Sequence, residues 1–295
     1  MALTLSKVMA RAWRELGFAV DIKATGGSAT TIIDTNSQYS ADDALVGGTA
    51  IIVRDALGAG ASPEGKFARI TDYVASTTTF TIETVTDAVA AGDSVLLATP
   101  RIKLPQMIQA ANDGLADLGT ISLVDTSLTS AAAQTEYALP VGLKIKRLLD
   151  VQIQGITTDG NDNRYVSIIG QSRYIPAAPG STGLLILPQL PADRTIKIIY
   201  EGVHPTLSVY SDVISETIQE ELAVAATINK ALTWYVSKRG DSALDTFVIQ
   251  RWNDAKNILQ QQKAEKPIFR AKPRPKWFVA GGKTDTDEFA PIPLP

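Results

Sequence analysis

The sequence predicts an α+β fold: a helical framework with a β meander, a small inserted antiparallel β-barrel or sandwich, and an extended C-terminal arm. Three observations carry this expectation. Apolar residues recur at helical spacing near the start, after residue 99 and between 212 and 263. Residues 24–98 consist of short β-branched runs separated by Gly, Asp, Ser and Ala. Beyond Lys263, Pro267, Pro273, Pro275, Pro291, Pro293 and Pro295 forbid a continuous helix or central strand, because each lacks an N–H and fixes φ. The expected boundaries are a core of 1–23 with 99–263, an insert of 24–98 and an arm of 264–295.

The first helix places Leu5, Val8, Met9, Ala12, Trp13 and Leu16 on one face, and Gly17 suits a left-handed stop. Within 24–98, TTIID, TAIIV, KFARITDYV, TTFTIETV and DSVLLA read as five strands. Gly26-Gly27, Gly47-Gly48, Gly58 to Gly65 and Gly92-Asp93 read as their turns. Pro105 opens the next helix, with Ile108, Ala111, Leu115 and Leu118 as its apolar face and Gly119 as its end. Between 120 and 205 the strands are EYALP, KIKRLLDVQIQ, RYVSIIG, GLLILP and RTIKIIYEG, with turns at 159–163, Pro188 and Pro191.

Two long helices follow. The first is expected to start near Asp212 and to bury Ile214, Ile218, Leu222, Ala225, Ile228 and Leu232. Glu216, Glu220 and Glu221 fill its early turns, and Lys238 and Arg239 its last, as the helix dipole favours. Ser242 with Asp245 resembles a capping box for the second, whose apolar face is Leu244, Phe247, Val248, Ala255, Ile258 and Leu259.

Composition narrows the function classes. The 295 residues are 45% apolar and 20% charged, the balance of an ordinary globular protein with a sizeable core. No apolar run approaches the roughly 18–20 residues of a membrane helix, so no membrane partner is expected. The opening MALTLSKVMARAWRELG lacks the plan of a signal peptide. With no cysteine, disulfides, thiolate metal sites and cysteine nucleophiles are excluded together. A net charge of −3 argues against a surface that binds nucleic acid everywhere.

Motifs for chemistry are sparse. His204, the single histidine, precedes a proline and has no G-x-S-x-G elbow to serve, so it reads as a structural loop residue. Gly282-Lys283-Thr284 ends like a phosphate-binding loop, but Trp277 stands where the first glycine belongs. The run DGNDN at 159–163 lacks the glycine and distal Glu spacing of an EF-hand and reads as a hairpin turn. Glu220 and Glu221 are adjacent on a helix, point about 100° apart and do not form a facing pair. No catalytic residue, metal or cofactor is expected, and no pattern requires an enzyme.

The arm is the feature that asks for a partner. Ile268, Phe269, Trp277, Phe278, Val279 and Phe289 are too many large apolar groups for a solvated tail. Lys263, Lys266, Arg270, Lys272, Arg274 and Lys276 surround them with positive charge. Such a segment can pack back on its own domain, or contact DNA through phosphates with Trp277 or Phe278 stacked on bases. Pro-spaced apolar anchors suit an acidic protein groove better, so Ile268, Phe269, Arg270, Lys272, Arg274, Lys276, Trp277 and Phe278 are the candidate binding residues.

Residues 136–148, EYALPVGLKIKRL, followed by DVQI, resemble a signature of tailed-phage head-to-tail adaptor proteins. GLLILPQLPADRTIKIIYEG and TLSVYSDVISETIQEELAVAAT resemble that family's later strand pair and its passage into a long helix. Residues 47–98 are similar to a small β module of phage structural proteins. The resemblance spans about 99–263 in layout, and the 24–98 insert and the long arm depart from simpler adaptors. It implies a structural, non-enzymatic protein of the virion head–tail junction, assembled in the host cytoplasm. It also implies a ring, commonly of twelve subunits, that extends the DNA channel beneath the portal. The implied partners are the portal protein, neighbouring adaptor subunits and a tail or nozzle protein, with non-specific contact to channel DNA. Two alternatives stand beside it. One is a DNA-binding packaging or ejection protein that uses the basic arm. The other is a tail component with 24–98 as a glycan or receptor module, although its aromatics are only Tyr39, Phe67, Tyr73 and Phe80.

Overall fold

The computed structural model describes residues 2–58, 61–140, 143, 145–155, 164–176, 178, 182–239 and 246–268. Among these, helices and antiparallel sheets combine as an α+β fold, with four helices and three sheets. The chain divides into two compact units, 1–120 with 203–269, and 121–202.

In the first unit, α1 (Leu5–Leu16) follows the expected periodicity: Leu5, Val8, Met9, Trp13 and Leu16 are all buried. Gly17 takes φ 67°, and Phe18 N–H returns to Trp13 O at 3.1 Å, closing the last turn. The Arg251 guanidinium also donates to Leu16 O, one of the carbonyls a helix end leaves open.

Seven strands then form one sheet: β1 (Ala19–Lys23), β2 (Gly26–Gly27), β3 (Thr31–Ile33), β4 (Thr49–Arg54), β5 (Phe67–Val74), β6 (Thr79–Ile82) and β7 (Ser94–Ala98). Their order is β1-β7-β4-β5-β6-β3-β2. The sheet thus starts before residue 24, with Ala19 opposite Ala98 and Lys23 opposite Ser94. Gly26-Gly27, expected as a turn, instead pairs with Ile32 and Ile33. A Cβ at Gly27 would stand 2.5 Å from Thr31 O, so the residue is glycine for close approach.

The end strands β1 and β2 are separated in sequence by Ala24 and Thr25 alone. Three residue steps span at most about 11 Å, whereas a flat seven-stranded sheet holds its edges about 29 Å apart. The sheet must therefore curl around its apolar face. The expected barrel is not closed, because no pairing joins β1 to β2 among the described strands. Ile32, Ile52, Ile70, Tyr73, Phe80 and Leu97 fill the curl. Tyr73 and Phe80 lie 4.3 Å apart between ring centroids, and Tyr73 donates its hydroxyl to Tyr39 O at 2.9 Å.

The remaining helices are α2 (Leu104–Asp117), α3 (Glu220–Arg239) and α4 (Thr246–Glu265). Pro105 falls in the first turn of α2, where a missing N–H costs nothing. Met107, Ala110, Ala111, Gly114 and Leu115 face inward, while Ile108 is half-buried. α3 packs against α1, α2 and α4, and Leu222 through Ile228 are buried all round, as befits a central helix.

α3 begins eight residues later than Asp212, where the apolar spacing placed it. The main chain of 210–214 is engaged elsewhere. Leu5 N–H donates to Asp212 O (2.9 Å), Ser6 N–H to Tyr210 O (3.3 Å) and Ile214 N–H to Leu3 O (2.8 Å). Asp212 folds its carboxylate back onto the N–H groups of Ser208 and Val209 at 2.5 and 2.9 Å, which holds it below the usual carboxylate range. In α4, Val248, Ala255 and Leu259 are buried as expected, but Ile258 is exposed because it lies well off that face. Residues 240–245, with the proposed cap, lie outside the described residues.

The second unit is β where described, apart from one turn of 3-10 helix at Ile169–Gln171. A four-stranded sheet runs β11 (Tyr165–Ser167), β10 (Arg147–Gln154), β14 (Thr195–Val203), β8 (Thr120–Thr129). A three-stranded sheet runs β12 (Arg173–Ile175), β13 (Leu184–Ile186), β9 (Glu136–Ala138). Each of the five expected segments contains a strand, although RYVSIIG is strand only over Tyr165–Ser167 before the 3-10 turn, and β8 and β12 join them. Along β14 burial alternates strictly, putting Ile196, Ile198 and Tyr200 into a core with Tyr137, Val151 and Leu185. The Tyr137 hydroxyl donates to Gln134 O at 3.1 Å and accepts from Ala131 N–H at 3.3 Å, fixing the turn before β9. Residues 159–163 lie outside the described residues.

Candidate interaction site

Of the expected binding residues, Ile268 is described, and it is half-buried. Phe269, Arg270, Lys272, Arg274, Lys276, Trp277 and Phe278 lie outside the described residues, as does Gly282-Lys283-Thr284. What the structure places is the root from which they depart.

Charges from three helices meet at that root. Lys266, one residue past α4, bonds Glu221 Oε2 at 2.8 Å, and its N–H continues the helical pattern to Gln262 O at 2.9 Å. On α1, Arg11 donates to Glu220 Oε1 at 3.0 Å, approaches Glu221 at 3.8 Å and donates through Nε to Glu15 at 2.9 Å. The hydrogen bond from Lys266 is the main reason the Glu221 carboxyl sits below its ordinary range. The bond to Glu220 is the main reason Arg11 is raised. Each pair is partly exposed and worth at most about 1 kcal/mol. Together they fix where the chain leaves α4.

Beside the first half of α1 lies a groove of about 260 Å³. Thr4, Lys7 and Ala10 line it from α1 and its start, Ile51 and Gly65 from the sheet and its loop, and Tyr210 from the segment before α3. Val209 and Val213 stand nearby with 49% and 54% of their surface exposed. Sequence gave no signal for this groove, because its walls come from segments separated by tens to hundreds of residues. Tyr210 itself is held edge-on to Phe67, with centroids 6.1 Å apart.

His204 is buried and spoken for at both nitrogens. Nδ1–H donates to Pro205 O at 2.7 Å, and Nε2 accepts from Ser215 N–H at 3.1 Å. That pattern requires the neutral ring, and burial lowers its pKa accordingly. Its role in this arrangement is to tie the loop after β14 to the segment before α3.

The described residues contain no group of three or more His, Asp or Glu placed to hold a metal ion. No described helix is long and apolar enough to cross a membrane. Compared with known proteins, the chain matches no family model and no curated sequence.

Proposed function

We propose that the chain is a structural head-to-tail adaptor of a tailed-phage virion. In this reading, copies form a ring beneath the portal that extends the DNA channel and docks the tail. The observation that carries it is the arm. Its root is braced by Lys266, Glu221 and Arg11, and 27 further residues rich in Pro, aromatic and basic side chains follow Ile268. A cyclic ring needs one interface between unlike surfaces, repeated until it closes. An arm fixed at its root and reaching beyond its own subunit supplies one half of such an interface. The β module of 24–98, joined by β1, is then an elaboration of the adaptor, and the residues after α4 are the extended arm.

Native mass measurement of the complex with its portal tests the proposal. A full ring of copies per portal is expected, and one or two copies overturn it. The basic run from Arg270 to Lys276 supports a second reading, a DNA-binding packaging or ejection protein. Affinity for DNA that falls steeply with salt, without portal loading, selects that reading instead.

A further inference from the structure

We infer that the groove beside α1 receives Trp277 and Phe278 from the arm of a second copy of the chain, an inference that rests on the adaptor reading. Size is the first argument. At about 260 Å³ the groove falls below the roughly 300–1,000 Å³ of pockets that enclose small-molecule ligands, and it suits one or two side chains. Its chemistry is the second. Ala10, Ile51 and Gly65 contribute apolar lining, and Val209 and Val213 are exposed apolar residues on either side of Tyr210 and Ser211 in sequence. Lys7 places an ammonium on the groove wall, where the face of an indole is a favourable neighbour. Glu64 adds negative charge at the groove, matching Lys276 beside the aromatic pair.

Length and topology supply the occupant. The pair lies nine residues beyond Ile268, a reach of up to about 30 Å from the last described residue. Pro273 and Pro275 pre-extend the chain between, reducing the freedom lost on docking. A knob carried on the arm and a socket on α1 are unlike surfaces, the condition for a contact that repeats around a ring.

The absence of cysteine makes the test clean. Full-length Lys7→Cys and Lys276→Cys proteins are prepared separately, mixed below saturation and oxidised. The expected product is the disulfide that joins the two different variants, in excess over either self-pair. Adding Trp277→Ala and Phe278→Ala to the arm partner should lower its yield by more than about 30-fold, the loss that a single aromatic hot spot would give. Thr4→Cys replaces Lys7→Cys at the groove if the latter does not fold. Equal yields of mixed and self-pairs overturn the inference. So does closure within single chains at high dilution when both substitutions share one chain, because the arm then lies on its own subunit. Portal loading is counted separately. Rings without the cross-link discard the groove and keep the adaptor, whereas the cross-link without rings does the reverse.

Discussion

Gly114 of α2 faces the main chain of Ala226 in α3 so closely that a Cβ at 114 would stand 2.8 Å from that residue's carbonyl carbon and oxygen. The two helices therefore meet backbone to backbone, with Thr227 N only 3.0 Å from the same point. Gly114→Ala should destabilise the protein by about 1–3 kcal/mol through overpacking. That sign is opposite to the gain of about 1 kcal/mol that alanine brings to an unconstrained helix. Urea unfolding of the full-length variant checks it, and a stabilised variant would mean the helices part without cost.

His204 should make stability depend on pH in one direction. Its folded-state pKa lies below the ordinary 6.5, mainly through burial. The contribution is therefore complete above about pH 6.5 and is lost as pH falls from there through the folded-state value. Because the chain has one histidine, unfolding measured between about pH 7 and pH 5 isolates the effect. His204→Gln should flatten the slope. A slope that survives the substitution assigns it to carboxylates instead.

Truncation after Ile268 retains Lys266 and its bond to Glu221, so the shortened protein should remain folded, soluble and monomeric. It should no longer load onto portals. Trp277→Ala with Phe278→Ala should weaken assembly more than neutralising Lys272 and Arg274, since buried aromatics contribute about 2 kcal/mol or more each. Rim charges mainly steer association. Portal binding by the truncated chain at wild-type stoichiometry would remove the arm from the interface.

Excising 24–98 should not leave an intact framework. The cut removes β7, the partner of β1, and with it the strand that Ala19–Lys23 pair against. It also removes Phe67 from Tyr210 and Ile51 from the groove beside α1. A linker variant with near-native thermal unfolding would show that β1 and α1 hold their places without the sheet.

Where local chemistry decides structure, the sequence was legible. α1 was readable to its last residue because Leu5, Val8, Met9, Trp13 and Leu16 share a face and Gly17 ends it. The alternation of RTIKIIYEG was readable for the same reason, since Ile196, Ile198 and Tyr200 are inward at every second position. Partners distant in sequence erased other signals. Ile214, Ile218 and Leu222 fit a helical period, yet residues 212–214 give their backbone bonds to residues 3–5. Gly26-Gly27 has the composition of a turn, and only the approach of Thr31 shows why glycine is needed in a strand. For the candidate site, the arm's appetite for a partner was plain from its residues. Its root was not, because Arg11 and Glu220 are 209 positions apart, and no spacing rule links them.

The stitching of residues 3–6 to 210–214 also sets an order of events during synthesis. The first unit cannot close until the segment after Val203 has left the ribosome, so α1 must wait for the whole of 121–202 to be translated. At roughly 5–20 residues per second, α1 spends many seconds with Trp13, Met9 and Leu5 uncovered. A nascent chain in that condition is a natural client for chaperones that hold apolar helices. Its yield in the cell should depend on them more than the stability of the finished protein does.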